Sequence, residues 1–170
     1  FDIVIPELLG DAWRPTQPDR AANCYKRAIQ KRGDIPRLLR KLLSIAREED
    51  NPQTQLETLR RLATLERRRS ELAQIKYDTA LLTESDAEAL MLATEATELE
   101  PSEPQFALLA AELLLKAERP EEAISCLDRF SRLQQHEIKT NVAASVEAKI
   151  AEIWEQHLGR PDIAEERWKR

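Results

Sequence analysis

Helix-opening residues recur through this chain at a fixed interval. Pro18 and Pro52 are 34 residues apart, Pro120 lies a further 68 on, and midway between the last two the pair Ser85-Asp86 supplies a helix N-cap in the same phase. Proline is at home in the first turn of a helix, where its missing N–H would be unsatisfied anyway, and serine is among the preferred caps. After Pro120, the side chains of Ala123, Leu127 and Phe130 fall on one helix face, with acids and Arg129 on the other. So narrow a stripe needs a second helix to cover it. Self-similarity at this step is the signature of stacked helix-turn-helix units, and five units account for all 170 residues. The expected fold is all-α, a solenoid of about five repeats at roughly 2–35, 36–69, 70–103, 104–137 and 138–170, forming one domain.

Composition points the same way. With 3 Gly and 5% aromatics in a chain rich in Leu, Ala, Glu and Arg, helix is favoured over strand. A net charge of −5 argues against bulk electrostatic binding of nucleic acid. The charge is uneven, however: residues 20–69 carry fourteen Lys or Arg against six acids, and residues 70–128 carry three against fourteen. Solvated helix faces account for most of this, and the alternative is a polarised axis that steers a charged partner or a second copy. The least polar run, 106–115, is interrupted by Glu112 and is far shorter than the ~20 residues a membrane span requires. The chain begins at Phe1 with no visible secretory leader. An amphipathic final helix cut off after Trp168 reads as a section of a larger protein.

Cys24 and Cys126 occupy equivalent places three repeats apart. Stacking at about 8–10 Å per helix would separate them by roughly 25–30 Å, beyond the roughly 7 Å a disulfide spans. Both are expected to be free, buried thiols, which leans toward a reducing compartment such as the cytoplasm.

The pattern places Ala21, Tyr25, Ala28 and Ile29 inward on the helix after Pro18, and Leu38, Leu39, Leu42, Leu43, Ile45 and Ala46 on a broad face after Pro36. The third pair sets Leu72, Ala73, Ile75, Tyr77, Ala80 and Leu81 against Ala89, Leu90, Leu92, Ala93 and Ala96, and Ala107, Leu108, Ala110, Ala111 and Leu114 answer the helix after Pro120. Pro161 follows Pro120 by 41 residues instead of 34, which predicts a longer first helix in the last pair.

These pairs resemble tetratricopeptide repeats of a divergent bacterial type. The resemblance rests on the 34-residue step, on the small residues Ala21, Ala89, Ala123 and Ala164 followed four positions later by Tyr25, Leu127 and Trp168, on Leu9-Gly10 with Trp13, and on the ending Glu-Leu-Glu-Pro at 98–101. Gln55 and Ala93 depart from it, standing for a small and a bulky residue, so those junctions are expected to pack less closely. The resemblance implies a right-handed superhelix whose inner wall, built by the first helices, holds an extended peptide or a partner helix. Carried onto this chain, that wall comprises Arg37, Arg40, Ser44, Arg47, Gln74, Asp78, Leu81, Gln105, Leu108, Glu112 and Lys116, then Lys149 and Gln156. The asparagine-and-cation clamp with which some members hold a chaperone's C-terminal carboxylate is missing, since Asn23, Asn51 and Asn141 lie away from the middle of any wall helix.

The resulting expectation is a protein-interaction scaffold in which Arg37, Arg40 and Arg47 meet acidic groups of a protein or peptide. The alternative is a structural or self-associating section of a longer solenoid, and behind it an RNA-binding helical repeat using the basic half. Catalysis, a cofactor and a metal are not expected. His136 and His157 lie on different helices without a partnering Cys, Asp or Ser, and no glycine loop could cradle a phosphate.

Overall fold

The computed structural model describes residues 5–133 and 140–168. Among them are ten α-helices and no strand: α1 Ile5–Trp13, α2 Pro18–Arg32, α3 Pro36–Glu48, α4 Pro52–Leu65, α5 Arg69–Leu82, α6 Asp86–Leu99, α7 Pro104–Lys116, α8 Pro120–Leu133, α9 Thr140–Gln156 and α10 Pro161–Trp168. Six of the ten open on proline. Where proline is absent or needs help, side chains cap the helix: Asn51 Oδ1 accepts from Thr54 N at 3.0 Å, and Ser85 Oγ from Glu88 N at 3.4 Å. At 17 residues α9 is longer than α3, α5 or α7, as the delayed Pro161 predicts.

Two helix ends show how tightly the turns are set. Asp50 and Glu118, 68 residues apart, both adopt positive φ (50° and 58°). Each lets the following amide reach back five residues, Asn51 N to Ala46 O and Arg119 N to Leu114 O, both at 2.9 Å. Glycine is the usual occupant of such a position, and a side chain there costs about 1 kcal/mol.

The helices group into two compact units, residues 1–82 and 83–170, divided between α5 and α6. In unit 1 each of α1 to α5 packs on its neighbour in sequence, and in unit 2 each of α6 to α10 does the same. Chain-order packing of this kind defines a helical-repeat solenoid. The first core joins Tyr25, Ile29, Leu38, Leu39, Leu42, Leu43, Ile45, Leu59 and Leu62; the second joins Ala107, Ala111, Ala123, Leu127, Phe130, Val146, Ile150 and Ile153.

Small residues set the helix approach in the first pair. A Cβ on Gly10 would lie 2.5 Å from Tyr25 Cε1, so only glycine lets α1 close over a ring that is itself sealed from solvent. Burial pushes the Tyr25 phenol above its usual pKa, and the bond it donates to Asp11 Oδ1 at 2.6 Å reinforces the shift.

Most inward positions lie where the periodicity places them, although Leu72, Tyr77, Leu90, Leu92 and Leu108 are only half-buried. Leu81 is exposed, at the solvent edge of α5. The thiols of Cys24 and Cys126 are free but half-buried instead of buried, because each sits at the margin of its helix's apolar stripe. Phe106 and Ile124, not singled out by the pattern, are buried. His136 lies outside the described residues, as do the side chains of Asn141 and Trp168.

Two substitutions test this description by urea denaturation. Gly10→Ala should destabilise the chain by about 1–3 kcal/mol through overpacking against Tyr25. Glu118→Gly should stabilise it by about 1 kcal/mol by relieving the left-handed residue.

Candidate functional site

The first helices of unit 1 meet through charge. Glu7 on α1 accepts from Arg37 at 2.8 Å and from Lys41 at 3.1 Å on α3, and Arg32 of α2 stands 3.6 Å away. Asp11 takes Lys41 at 2.6 Å together with the Tyr25 hydroxyl. Farther along, Arg40 of α3 donates to Glu71 of α5 at 2.7 Å and to Glu66, while Arg47 pairs with Asp78. The sequence separations are 30 or 34 residues between α1 and α3, and 31 between α3 and α5. One repeat length, or one repeat length less about a helical turn, therefore brings an acid opposite a base.

These partners move the titrations. The hydrogen bonds from Lys41 and then Tyr25 hold the Asp11 carboxyl below its usual value. Burial works against the Lys41 charge, but the bonds to Asp11 and Glu7 outweigh it and hold the ammonium above its usual pKa. Glu66, in the turn before α5, accepts the backbone N–H groups of Arg67 at 2.9 Å and Arg68 at 3.0 Å. The Arg68 amide, supported by that of Arg67 and the Arg68 charge, lowers the Glu66 pKa to about 2. One carboxylate thereby ties the end of α4, the start of α5 and Arg40 of α3 together.

Between the two rungs of the α3–α5 ladder lies a cleft of about 570 Å3. Its rim is Arg40, Ser44, Arg47 and Glu48 on α3 facing Glu71, Gln74 and Asp78 on α5, and its floor is Leu43, Leu59, Leu62 and Ile75. Five of the wall residues expected from sequence come together here. The others do not. Arg37 lies outside the cleft, committed to Glu7 with its side chain still 68% exposed, and Leu81 is exposed beyond the cleft's end. In unit 2, Gln105, Leu108, Glu112 and Lys116 share α7, where Lys116 pairs with Asp86 at 2.6 Å, Glu112 is exposed and Leu108 half-buried. Lys149 of α9 pairs with Glu152 at 3.0 Å, and Gln156 is exposed at its end.

The arginines expected to meet a client are instead paired within the chain, with Glu71 on the same rim and Glu66 behind Arg40, neither of them among the expected wall residues. The signal was present: an acid 31 residues after each of Arg40 and Arg47. The two irregular junctions resolve differently. Gln55 fits because its Nε2 donates to Ala46 O, an end carbonyl of α3, at 3.0 Å. Beside the buried Ala93, a second cleft of about 380 Å3 opens among α6, α7 and α8, with Leu90, Thr94, Thr97 and Cys126 in its walls. Burial pushes the Cys126 thiol above its usual pKa. Among the described residues no three His, Cys, Asp or Glu are grouped to hold a metal, and no helix is long and apolar enough to cross a membrane.

No protein-family model and no curated protein matches this chain. Solved structures do. A crystal structure of MamA protein superposes with a TM-score of 0.71 over 98% of this chain and 88% of the other, at 17% identity. The nearly identical TPR-like repeats of a Podosopora anserina protein superpose with a TM-score of 0.63 over 99% and 92%, at 14% identity. The chain therefore has the tetratricopeptide-type fold, a helical-repeat solenoid.

The pH dependence of stability follows from the shifted carboxylates. A depressed pKa contributes stability that is present above the unfolded value and lost as pH falls through the folded one. For Glu66 that window runs from the ordinary 4.5 down to about 2, and Asp11 acts in the same direction. Urea midpoints should fall over this range, and Glu66→Gln should flatten the fall while leaving the neutral-pH fold intact by circular dichroism.

Proposed function

We propose that this chain is a non-catalytic protein-interaction scaffold and that the α3–α5 cleft is where it binds a peptide or helix of its partner. The observation that carries this reading is the cleft's composition: an apolar floor bordered on one long side by the exposed Arg40 and Arg47 and on the other by the half-buried acids they pair with, Glu71 and Asp78. Such a rim does not demand a client of one sign. A guanidinium has five N–H donors, so Arg40 and Arg47, 43% and 51% exposed, keep donors for a peptide carbonyl or carboxylate while holding their own acids. Glu71 and Asp78 likewise keep acceptor sites for a peptide amide or a lysine. The partner suited to it carries apolar side chains for the floor and mixed polar groups for the rim, in place of the acidic stretch that the arginines alone suggest.

Reversing one rung tests this without dismantling the fold. The double variant Arg47→Asp/Asp78→Arg keeps an ion pair between α3 and α5 but inverts the polarity of the rim. Peptides selected from a random displayed library against the native chain should bind this variant at least about tenfold more weakly, with helicity and urea midpoint unchanged. Equal affinity for the two proteins would place peptide binding elsewhere.

A further inference from the structure

The cleft among α6, α7 and α8 has a filled counterpart inside the same chain. A step of 68 residues carries α2, α3 and α4 onto α6, α7 and α8, since Pro18 falls on Asp86, Pro36 on Pro104 and Pro52 on Pro120, each opening its helix. The positive-φ residues Asp50 and Glu118 obey the same step. Under it, Ile29, Leu39 and Leu42 of unit 1 become Thr97, Ala107 and Ala110 of unit 2, and these three smaller residues line the cleft. In unit 1 the larger side chains are 2%, 0% and 4% exposed and belong to the core. Leu90 and Phe130 are larger than their counterparts Ala22 and Leu62, yet they narrow the space without filling it, and about 380 Å3 stays open.

Charge follows the same comparison. Arg61 of α4 falls on Arg129 of α8. Arg61 donates from Nε to both carboxylate oxygens of Asp34, each at 3.0 Å. At the step from Asp34 the chain carries Ser102 instead, and Arg129, exposed at the wall of the cleft, has no ion pair among the described residues. Both acids that line the cleft are already engaged: Glu122 takes Arg119 at 2.6 and 2.7 Å, and Glu98 has a partner of its own. Relative to α2–α4, the α6–α8 cleft therefore lacks aliphatic bulk over two alanines and one carboxylate against an arginine.

We propose that this cleft is a second binding site, which takes a segment of a partner protein carrying aliphatic side chains around one Asp or Glu. The aliphatic groups lie over Ala107 and Ala110, and the carboxylate receives the Arg129 guanidinium, whose planar fork suits two parallel N–H bonds. A run of acids does not suit the site, because residues 70–128 carry fourteen acids against three bases and would repel it. The cleft lies wholly within unit 2, and its role stands or falls independently of the α3–α5 cleft.

The probe is a displayed library of short peptides with one fixed central Glu among randomised Leu, Ile, Val, Ser and Gly, selected against the full chain beside a matched library that fixes Gln instead. Enrichment that depends on the Glu is expected. In fluorescence anisotropy the enriched peptides should bind Arg129→Gln and Thr94→Trp at least about tenfold more weakly than the native chain. The first variant removes the cation and the second blocks the cleft; both positions are exposed, so circular dichroism should be unchanged. The same peptides should bind Arg47→Asp/Asp78→Arg as they bind the native chain. Absence of Glu-dependent enrichment, or undiminished binding to either Arg129→Gln or Thr94→Trp, overturns the proposal. So does loss of binding in Arg47→Asp/Asp78→Arg alone, which would put the peptides in the α3–α5 cleft.

Discussion

In unit 1 the charges that successive first helices present to one another alternate in sign: acids on α1, bases on α3, acids on α5. Stacked helix pairs have no sheet ladder to fix their alignment, and an apolar stripe of leucines and alanines tolerates sliding by a turn. Opposed charges do not. Between α3 and α5 a slip of one turn would carry Arg40 and Arg47 away from Glu71 and Asp78, so these rungs favour the register observed. Each exposed rung contributes little to stability, on the order of 0–1 kcal/mol. The buried side chains of the first core supply the bulk of the stabilisation, and the charges choose among its alternatives.

The same arrangement shapes the cleft. Because Arg40 and Arg47 are spaced by seven residues on α3, and Glu71 and Asp78 by seven on α5, two rungs close a space whose floor is the side chains that α3, α4 and α5 bury between them. The rung at Arg40 is anchored from behind by Glu66, which also caps the start of α5. Structural and recognition roles are thus carried by the same side chains, and a basic stretch that looks open to solvent in sequence is already half engaged.

Much of this fold is legible in the sequence because its punctuation is local. Pro18, Pro52, Pro104 and Pro120 open helices for reasons that need no tertiary context, and Ala21, Tyr25, Ala123 and Leu127 fall inward by helical period alone. What stayed hidden depends on neighbours distant in sequence. Glu7 is buried because three cations of α2 and α3 converge on it, and Leu81 is exposed although the helical period of α5 puts it with the apolar positions. Of the candidate site, Arg40, Ser44, Arg47, Gln74 and Asp78 were readable by repeat phase, but their opposed pairing was not, since each charge taken singly looks like a solvated face.

The most direct test of the charge ladder is a double-mutant cycle on its outermost α3–α5 rung, with Arg47→Ala, Asp78→Ala and the double variant compared by urea denaturation. The pair is half exposed on the arginine side, so a favourable coupling of about 0.5–1 kcal/mol is expected at low salt, shrinking as salt is raised. A coupling of zero at low salt, with both single variants as stable as the native chain, would contradict the account.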